Sequence, residues 1–130
     1  MADVTEKVWD VVTIGAGPTA LAAAIYTTRE DLSTLCFEKG VIGGLAAITD
    51  WVDNYPGFPE GISGLDLGEK LQKQAERFGT QIELGEVMGL ASDGTHVKLQ
   101  TTSGELSAKT VLIATGSDYK KLGISGEAEY

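Results

Sequence analysis

Val8-Trp9-Asp10-Val11-Val12-Thr13-Ile14 runs straight into Gly15-Ala16-Gly17-Pro18-Thr19-Ala20. The first seven residues form a nearly continuous β-branched run, the pattern of a strand covered on both faces. Glycines break it, and Pro18 suits the first helical position, where a missing N–H costs nothing. Thr19 to Arg29 then reads as an alanine-rich helix. Leu32 to Phe37 reads as a second short strand, ended by Glu38-Lys39-Gly40. Strand, glycine turn, helix and strand in about 30 residues make a βαβ unit, whose crossover is expected to be right-handed.

The glycine segment fits the dinucleotide pattern G-x-G-x-x-G/A in its required context, directly after a strand and opening a helix. Gly15 permits a sharp turn. Gly17, without a Cβ, lets a pyrophosphate approach the backbone, and small Ala20 lets the helix pack close to the strand. The helix N-terminus offers free N–H groups and partial positive charge. Glu38 follows about 20 residues later, where a carboxylate accepts hydrogen bonds from a ribose and repels a 2′-phosphate. FAD and NAD(H) remain open on these features alone. So does a glycine turn in an unrelated α/β protein, with Glu38 only a solvated strand-end charge.

Further along, Val41 to Gly64 reads as a long irregular stretch, of the kind that tends to be functional in a compact domain. Leu65 to Phe78 returns to helix, with Leu67, Leu71, Ala75 and Phe78 on one face and Gly79 as its C-terminal cap. Gln81 to Leu84 is a third strand. Glu86 to Ser92, Thr95 to Thr101 and Glu105 to Ala108 follow as hairpin strands, punctuated by Asp93-Gly94 and Ser103-Gly104. Thr110 to Ala114 closes as another apolar strand before Thr115-Gly116-Ser117. The expected class is α/β: a Rossmann-like parallel sheet with an inserted three-stranded antiparallel β-meander.

Composition narrows the function classes. A chain of 130 residues suits one domain. A net charge of −9 argues against nucleic acid or an anionic membrane as partner. No stretch approaches the roughly 20 apolar residues of a membrane span, and Met1 to Asp10 holds no signal-peptide core. The single cysteine, Cys36, rules out an internal disulfide or C-x-x-C pair within these residues. A cytoplasmic protein is expected. Cys36 lies inside an apolar strand and reads as packing. His96, the only histidine, reads as exposed, and metal binding is not expected. Trp9 reads as structural. Trp51 and Tyr55 could equally stack near a ligand or anchor the long loop. The acids Glu60, Asp66, Glu127 and Glu129 read as solvated surface. No Ser-His-Asp or Cys-His set can be assembled, so any chemistry would be a cofactor's.

Beyond the glycine turn, the order and spacing of Thr13 to Pro18, Gly43-Gly44-Leu45, Val52-Asp53-Asn54-Tyr55-Pro56-Gly57-Phe58-Pro59 and Leu112 to Ser117 resemble the FAD domain of the two-dinucleotide-binding-domain flavoproteins. The resemblance is strongest to thioredoxin reductases and runs through essentially the whole chain. The N-x-P-G-F-P segment is its most specific part. It implies FAD as cofactor, with Ala16, Gly17, Pro18 and Thr19 facing the pyrophosphate above Gly15 and Ala20. Glu38, with Lys39 beside it, would face the adenosine ribose. Gly43, Gly44, Leu45 and Thr49 would lie along the phosphate and ribityl path, and Asn54 near the flavin ring. Val87 would meet adenine through its backbone, and Ala114, Thr115 and Gly116 would border the cofactor. Many relatives carry Gln where this chain has Leu45.

By the same resemblance, the complete enzyme passes electrons from NADPH through FAD to a disulfide on a thioredoxin-like protein, usually as a homodimer. Its nicotinamide domain with the C-x-x-C, and the C-terminal segment that completes the FAD site, are not among these 130 residues. Residues 1–130 are therefore expected to be one lobe for the ADP half of FAD, inactive alone. A self-standing FAD or adenine-nucleotide module and one half of a split flavoenzyme are the alternatives.

Overall fold

A central parallel strand must have its backbone paired on both sides, and β1 (Val8–Ile14) does. The computed structural model, which describes residues 3–118 and 123–125, places β2 (Thr34–Glu38) against one edge of β1 and β8 (Gly104–Ile113) against the other, both parallel. β5 (Gln81–Leu84) pairs parallel outside β2. β7 (Val97–Thr101) and β6 (Val87–Ser92) extend the sheet antiparallel beyond β8. The order is β5-β2-β1-β8-β7-β6, a mostly parallel sheet with a three-stranded antiparallel meander, as the sequence predicts.

One boundary differs. The third meander strand and the closing strand are a single strand, β8. Its first half faces β7 from Gly104 to Ala108, while it pairs with β1 from Ser107 to Ile113. No break is needed at Lys109, because the strand changes neighbours without changing direction. The turn before it is Thr102-Ser103, with Gly104 already paired to Thr101.

Helix α1 (Pro18–Arg29) and helix α3 (Gly64–Arg77) cover one face of the sheet. α3 starts on Ser63, whose hydroxyl accepts the Asp66 N–H at 3.1 Å, and carries Asp66 in its first turn and Arg77 in its last, as the helix dipole favours. Leu67, Leu71 and Ala75 bury with Leu21, Ala24 and Cys36. Phe78 stays half-buried at the C-cap, beneath Arg29 and Arg77, and Gly79 with φ of 101° ends the helix. β2 begins later than Leu32 because the Leu32 N–H is drawn back to close the end of α1. That N–H returns to the Thr27 carbonyl at 3.1 Å, past Asp31 at φ 60°.

The other face buries Trp9, Val12, Leu35 and Phe37 with Leu99 and Leu106 of the meander. Trp9 is structural: its indole N–H donates to the Val4 carbonyl at 2.8 Å, and the Lys7 ammonium lies 3.9 Å from the ring centre. The long stretch after β2 is not wholly irregular. It holds a single helical turn, α2 (Gly44–Ala47), and a two-stranded ribbon of β3 (Trp51–Val52) and β4 (Ile62–Ser63). Glu60 and Asp66 are exposed, and Glu127 and Glu129 lie outside the described residues. Among the described residues no helix is long and apolar enough to cross a membrane.

Candidate functional site

The β1–α1 turn is fixed by backbone contacts that only a residue without a side chain could make. Gly15 has φ of 113°, and a Cβ there would collide with the Ala114 carbonyl at the end of β8. Its N–H donates to the Phe37 carbonyl at 2.7 Å, and its own carbonyl accepts the Thr13 hydroxyl at 2.7 Å. Above it, Leu21 N–H bonds to the Gly17 carbonyl, which starts α1. The N–H groups of Gly17, Thr19 and Ala20 have no hydrogen-bond partner among the described residues. Pro18, at the first helical position, has no N–H to satisfy. Three free amides thus gather at the positive end of a 12-residue helix, an arrangement that favours an anion.

Glu38 ends β2 beside this turn. One carboxylate oxygen accepts the Ala16 N–H at 3.0 Å and the other accepts the Gly40 N–H at 2.8 Å. The side chain is therefore turned toward the glycine turn, and each oxygen keeps lone pairs for a further donor. The Ala16 amide itself is taken by Glu38, so the free donors are those of Gly17, Thr19 and Ala20. Next to Glu38 opens a cleft of about 130 Å³, lined by Ile14, Gly15, Phe37, Glu38, Lys39, Gly85, Glu86, Val87 and Thr115. Four chain segments, distant in sequence, converge there. The sequence did not single out Gly85 and Glu86. The Gly85 N–H holds the Glu38 carbonyl at 2.8 Å, and a Cβ at Gly85 would press on Phe37.

Gly43 and Gly44 join the site from the far side. The Gly43 N–H donates to the Ala16 carbonyl at 2.8 Å. Gly44 has φ of 63°, and a Cβ there would stand 3.3 Å from the Gly17 Cα, so bare backbone faces bare backbone across the turn. Leu45 is half-buried just beyond. Thr49 is exposed, its hydroxyl donating to the Leu45 carbonyl at 2.7 Å. Ala114 is half-buried, with Thr115 and Gly116 exposed at the mouth.

Asn54 is not brought to the cleft. It lies exposed on a separate open surface cavity formed by the 53–59 loop. A further cavity of about 460 Å³ between α1, α3 and that loop is bordered by Tyr55 but by none of the residues expected to bind the cofactor. Size does not make either of these the better site, since neither lies at the N-terminus of α1 beside a strand-end carboxylate.

The aromatic pair divides. Tyr55 anchors the loop, packing on the helix-side core with Phe58 at 6.3 Å between ring centres. Trp51 is exposed, its indole N–H on Asp53 at 3.0 Å. His96 is half-buried in the turn before β7, not exposed. Cys36 is fully buried, and burial pushes its thiol above the ordinary value while a hydrogen bond with Thr13 works the other way. Among the described residues no group of His, Cys, Asp or Glu is placed to hold a metal ion.

A glycine turn with free amides, an acid at the end of the next strand and a meander rejoining the sheet is a combination with known relatives. The family model described as pyridine nucleotide-disulphide oxidoreductase matches residues 9–130. The chain belongs to that family. Among pyridine nucleotide-disulphide oxidoreductases it is similar to the N-terminal part of thioredoxin reductases. The thioredoxin reductase of Bacillus subtilis is 43% identical over 124 residues, which cover 95% of this chain and 39% of that protein. That of Treponema pallidum is 39% identical over 125 residues, covering 96% of this chain and 41% of that protein. The solved thioredoxin reductase of Lactococcus lactis superposes with a TM-score of 0.86 at 41% identity, over 94% of this chain and 40% of that one. The chain thus spans about 40% of the length of these relatives. A flavin cofactor follows from the family.

Proposed function

We propose that residues 1–130 form the lobe of a thioredoxin-reductase-type flavoprotein that holds the ADP half of FAD. The observation that carries this is the meeting of three unpartnered amides, Gly17, Thr19 and Ala20, with the inward-turned carboxylate of Glu38 beside a cleft. These residues fit the group. The amides and the helix dipole would offset the diphosphate charge. The spare lone pairs of Glu38 would accept the ribose hydroxyls and disfavour a 2′-phosphate. The cleft floor at Gly85 and Val87 would take adenine, with Lys39 at its rim. Gly43 and Gly44 would leave passage for the chain beyond the phosphates, past Leu45 and Thr49.

Bound flavin would supply two-electron chemistry between a reduced nicotinamide and a disulfide. The residues of this chain would bind and orient it, and none is given a proton-transfer role. In the complete protein, NADPH and a thioredoxin-like disulfide protein are the proposed partners, with Asn54 toward the ring, a homodimer as the assembly and the cytoplasm as the location. The exposed apolar end of β8, Leu112 and Ile113, supports a further part of the protein covering this lobe.

The test is the visible spectrum of the purified chain, loaded with FAD and passed through gel filtration. ADP binding with flavin lost on the column supports a lobe of a larger enzyme. Flavin peaks that survive the column support a self-sufficient module. No affinity for either nucleotide refutes the assignment.

A further inference from the structure

Gly15 makes the turn possible, but glycine also makes it loose. The Gly15–Ala16 peptide turns on ψ of Gly15 and φ of Ala16, and Gly15, without a Cβ, leaves the first of these weakly restrained. What holds that peptide in one orientation is a clamp on both of its polar ends. On one side the Thr13 hydroxyl donates to the Gly15 carbonyl at 2.7 Å. On the other the Ala16 N–H donates to Glu38 at 3.0 Å. Among the described residues no other donor reaches the Gly15 carbonyl.

Thr13 is fully buried, on the helix side of β1, paired in register with Cys36. A hydroxyl in that layer is costly unless bonded, and a β-branched apolar residue would fill the same space. Its presence is therefore explained by the bond it makes to the turn.

We infer that Thr13 is a positioning residue for nucleotide binding: its hydroxyl locks the Gly15–Ala16 peptide so that Ala16 N–H holds the Glu38 carboxylate at the mouth of the cleft. The inference rests on the nucleotide-binding assignment above. Thr13 touches no ligand itself; it acts through Gly15, Ala16 and Glu38. Without its hydroxyl the peptide is held at one end only, and a smaller share of chains presents Glu38 correctly. Apparent affinity then falls by the fraction of chains in that orientation.

The experiment compares ADP affinity by calorimetry in the full chain and three variants. Thr13→Val keeps shape and removes the hydroxyl, and about tenfold weaker binding is expected. Thr13→Ser keeps the hydroxyl and restores affinity to within about twofold of wild type, on the same grounds. Val4→Ala, in the short turn before β1 and away from the cleft, lowers stability through the core and leaves affinity unchanged. A second reading needs no variant: in wild type the Ala16 amide resists hydrogen exchange while those of Thr19 and Ala20 exchange freely. Wild type that binds ADP together with an unaffected Thr13→Val overturns the positioning role alone, as does an Ala16 amide exchanging as fast as its neighbours. Wild type that takes neither ADP nor FAD overturns the nucleotide assignment and the role with it.

Discussion

The Glu38 carboxylate accepts the main-chain N–H of Ala16 at 3.0 Å, tying the end of β2 to the glycine turn that follows β1. The group expected to read the sugar is thereby held in place before any sugar arrives. Such preorganisation lowers the ordering cost of binding. It also links the free amides at the start of α1 to the acid proposed to bind the sugar, through a single peptide.

That link makes Glu38 a two-sided residue. Glu38→Gln keeps an acceptor for Ala16 but loses the charge. Its ADP affinity is expected to fall about tenfold, the scale of one charge-assisted hydrogen bond. Glu38→Ala should fall further and also lower the urea midpoint, since the Ala16 and Gly40 amides lose their acceptor. Calorimetry and urea titration on the same preparations read the two effects. Equal ADP affinity in all three proteins would remove Glu38 from the site.

At Gly15 the prediction concerns folding. A methyl group there meets the Ala114 carbonyl and demands φ of 113° from an L-residue. Gly15→Ala should destabilise the chain by more than ~1 kcal/mol. The change appears as a lower denaturant midpoint at unchanged slope. A midpoint equal to that of wild type would show that β8 does not press on the turn as described.

How much of this was legible in the sequence follows from physical range. Gly15, Gly17 and Glu38 could be read because the backbone demands behind them are local or recur at fixed spacing. Leu67, Leu71 and Ala75 could be read because helical periodicity persists for 14 residues in α3. The four residues of α2 are too few to show a period. β8 looked like two strands because Lys109 and Thr110 are exposed polar residues in mid-strand, where its pairing partner changes. Leu32 looked like strand because it is apolar, yet the end of α1 claims its N–H. Within the site, Gly85 and Glu86 were invisible, since only the pairing of β5 with β2 brings the segment that follows β5 to the cleft. The grip of Glu38 on Ala16 depends on one side-chain conformation, which no spacing encodes.

A polar clasp at the other end of the sheet sets an acid dependence. Asp10 accepts Ser33 N–H at 2.8 Å and lies 3.0 Å from the Lys109 ammonium. The Ser33 amide first, and then Lys109, hold its carboxyl below the ordinary value of 3.8. A carboxyl lowered on folding adds stability that is fully present above 3.8 and is lost as pH falls through the lower, folded value. Asp10→Asn should therefore be less stable than wild type at neutral pH, with the difference shrinking only below pH 3.8. Urea midpoints across that range would contradict this if the difference were constant.

Cys36 offers a probe of the core. Its side chain is fully buried, and its raised thiol is less ionised than a free one at neutral pH. A thiol reagent should label the native chain far more slowly than the chain in urea. Comparable rates would mean that the layer under α1 is open.

The central claim is that the β1–α1 amides and Glu38 together bind an adenosine diphosphate. Calorimetric titration of the chain with ADP, repeated in the presence of FAD and on Gly44→Val, tests it most directly. One saturable site that FAD competes for, weakened at least tenfold when a side chain intrudes 3.3 Å from Gly17, is the predicted result. No heat of binding from ADP, or binding indifferent to both FAD and Gly44→Val, would contradict it.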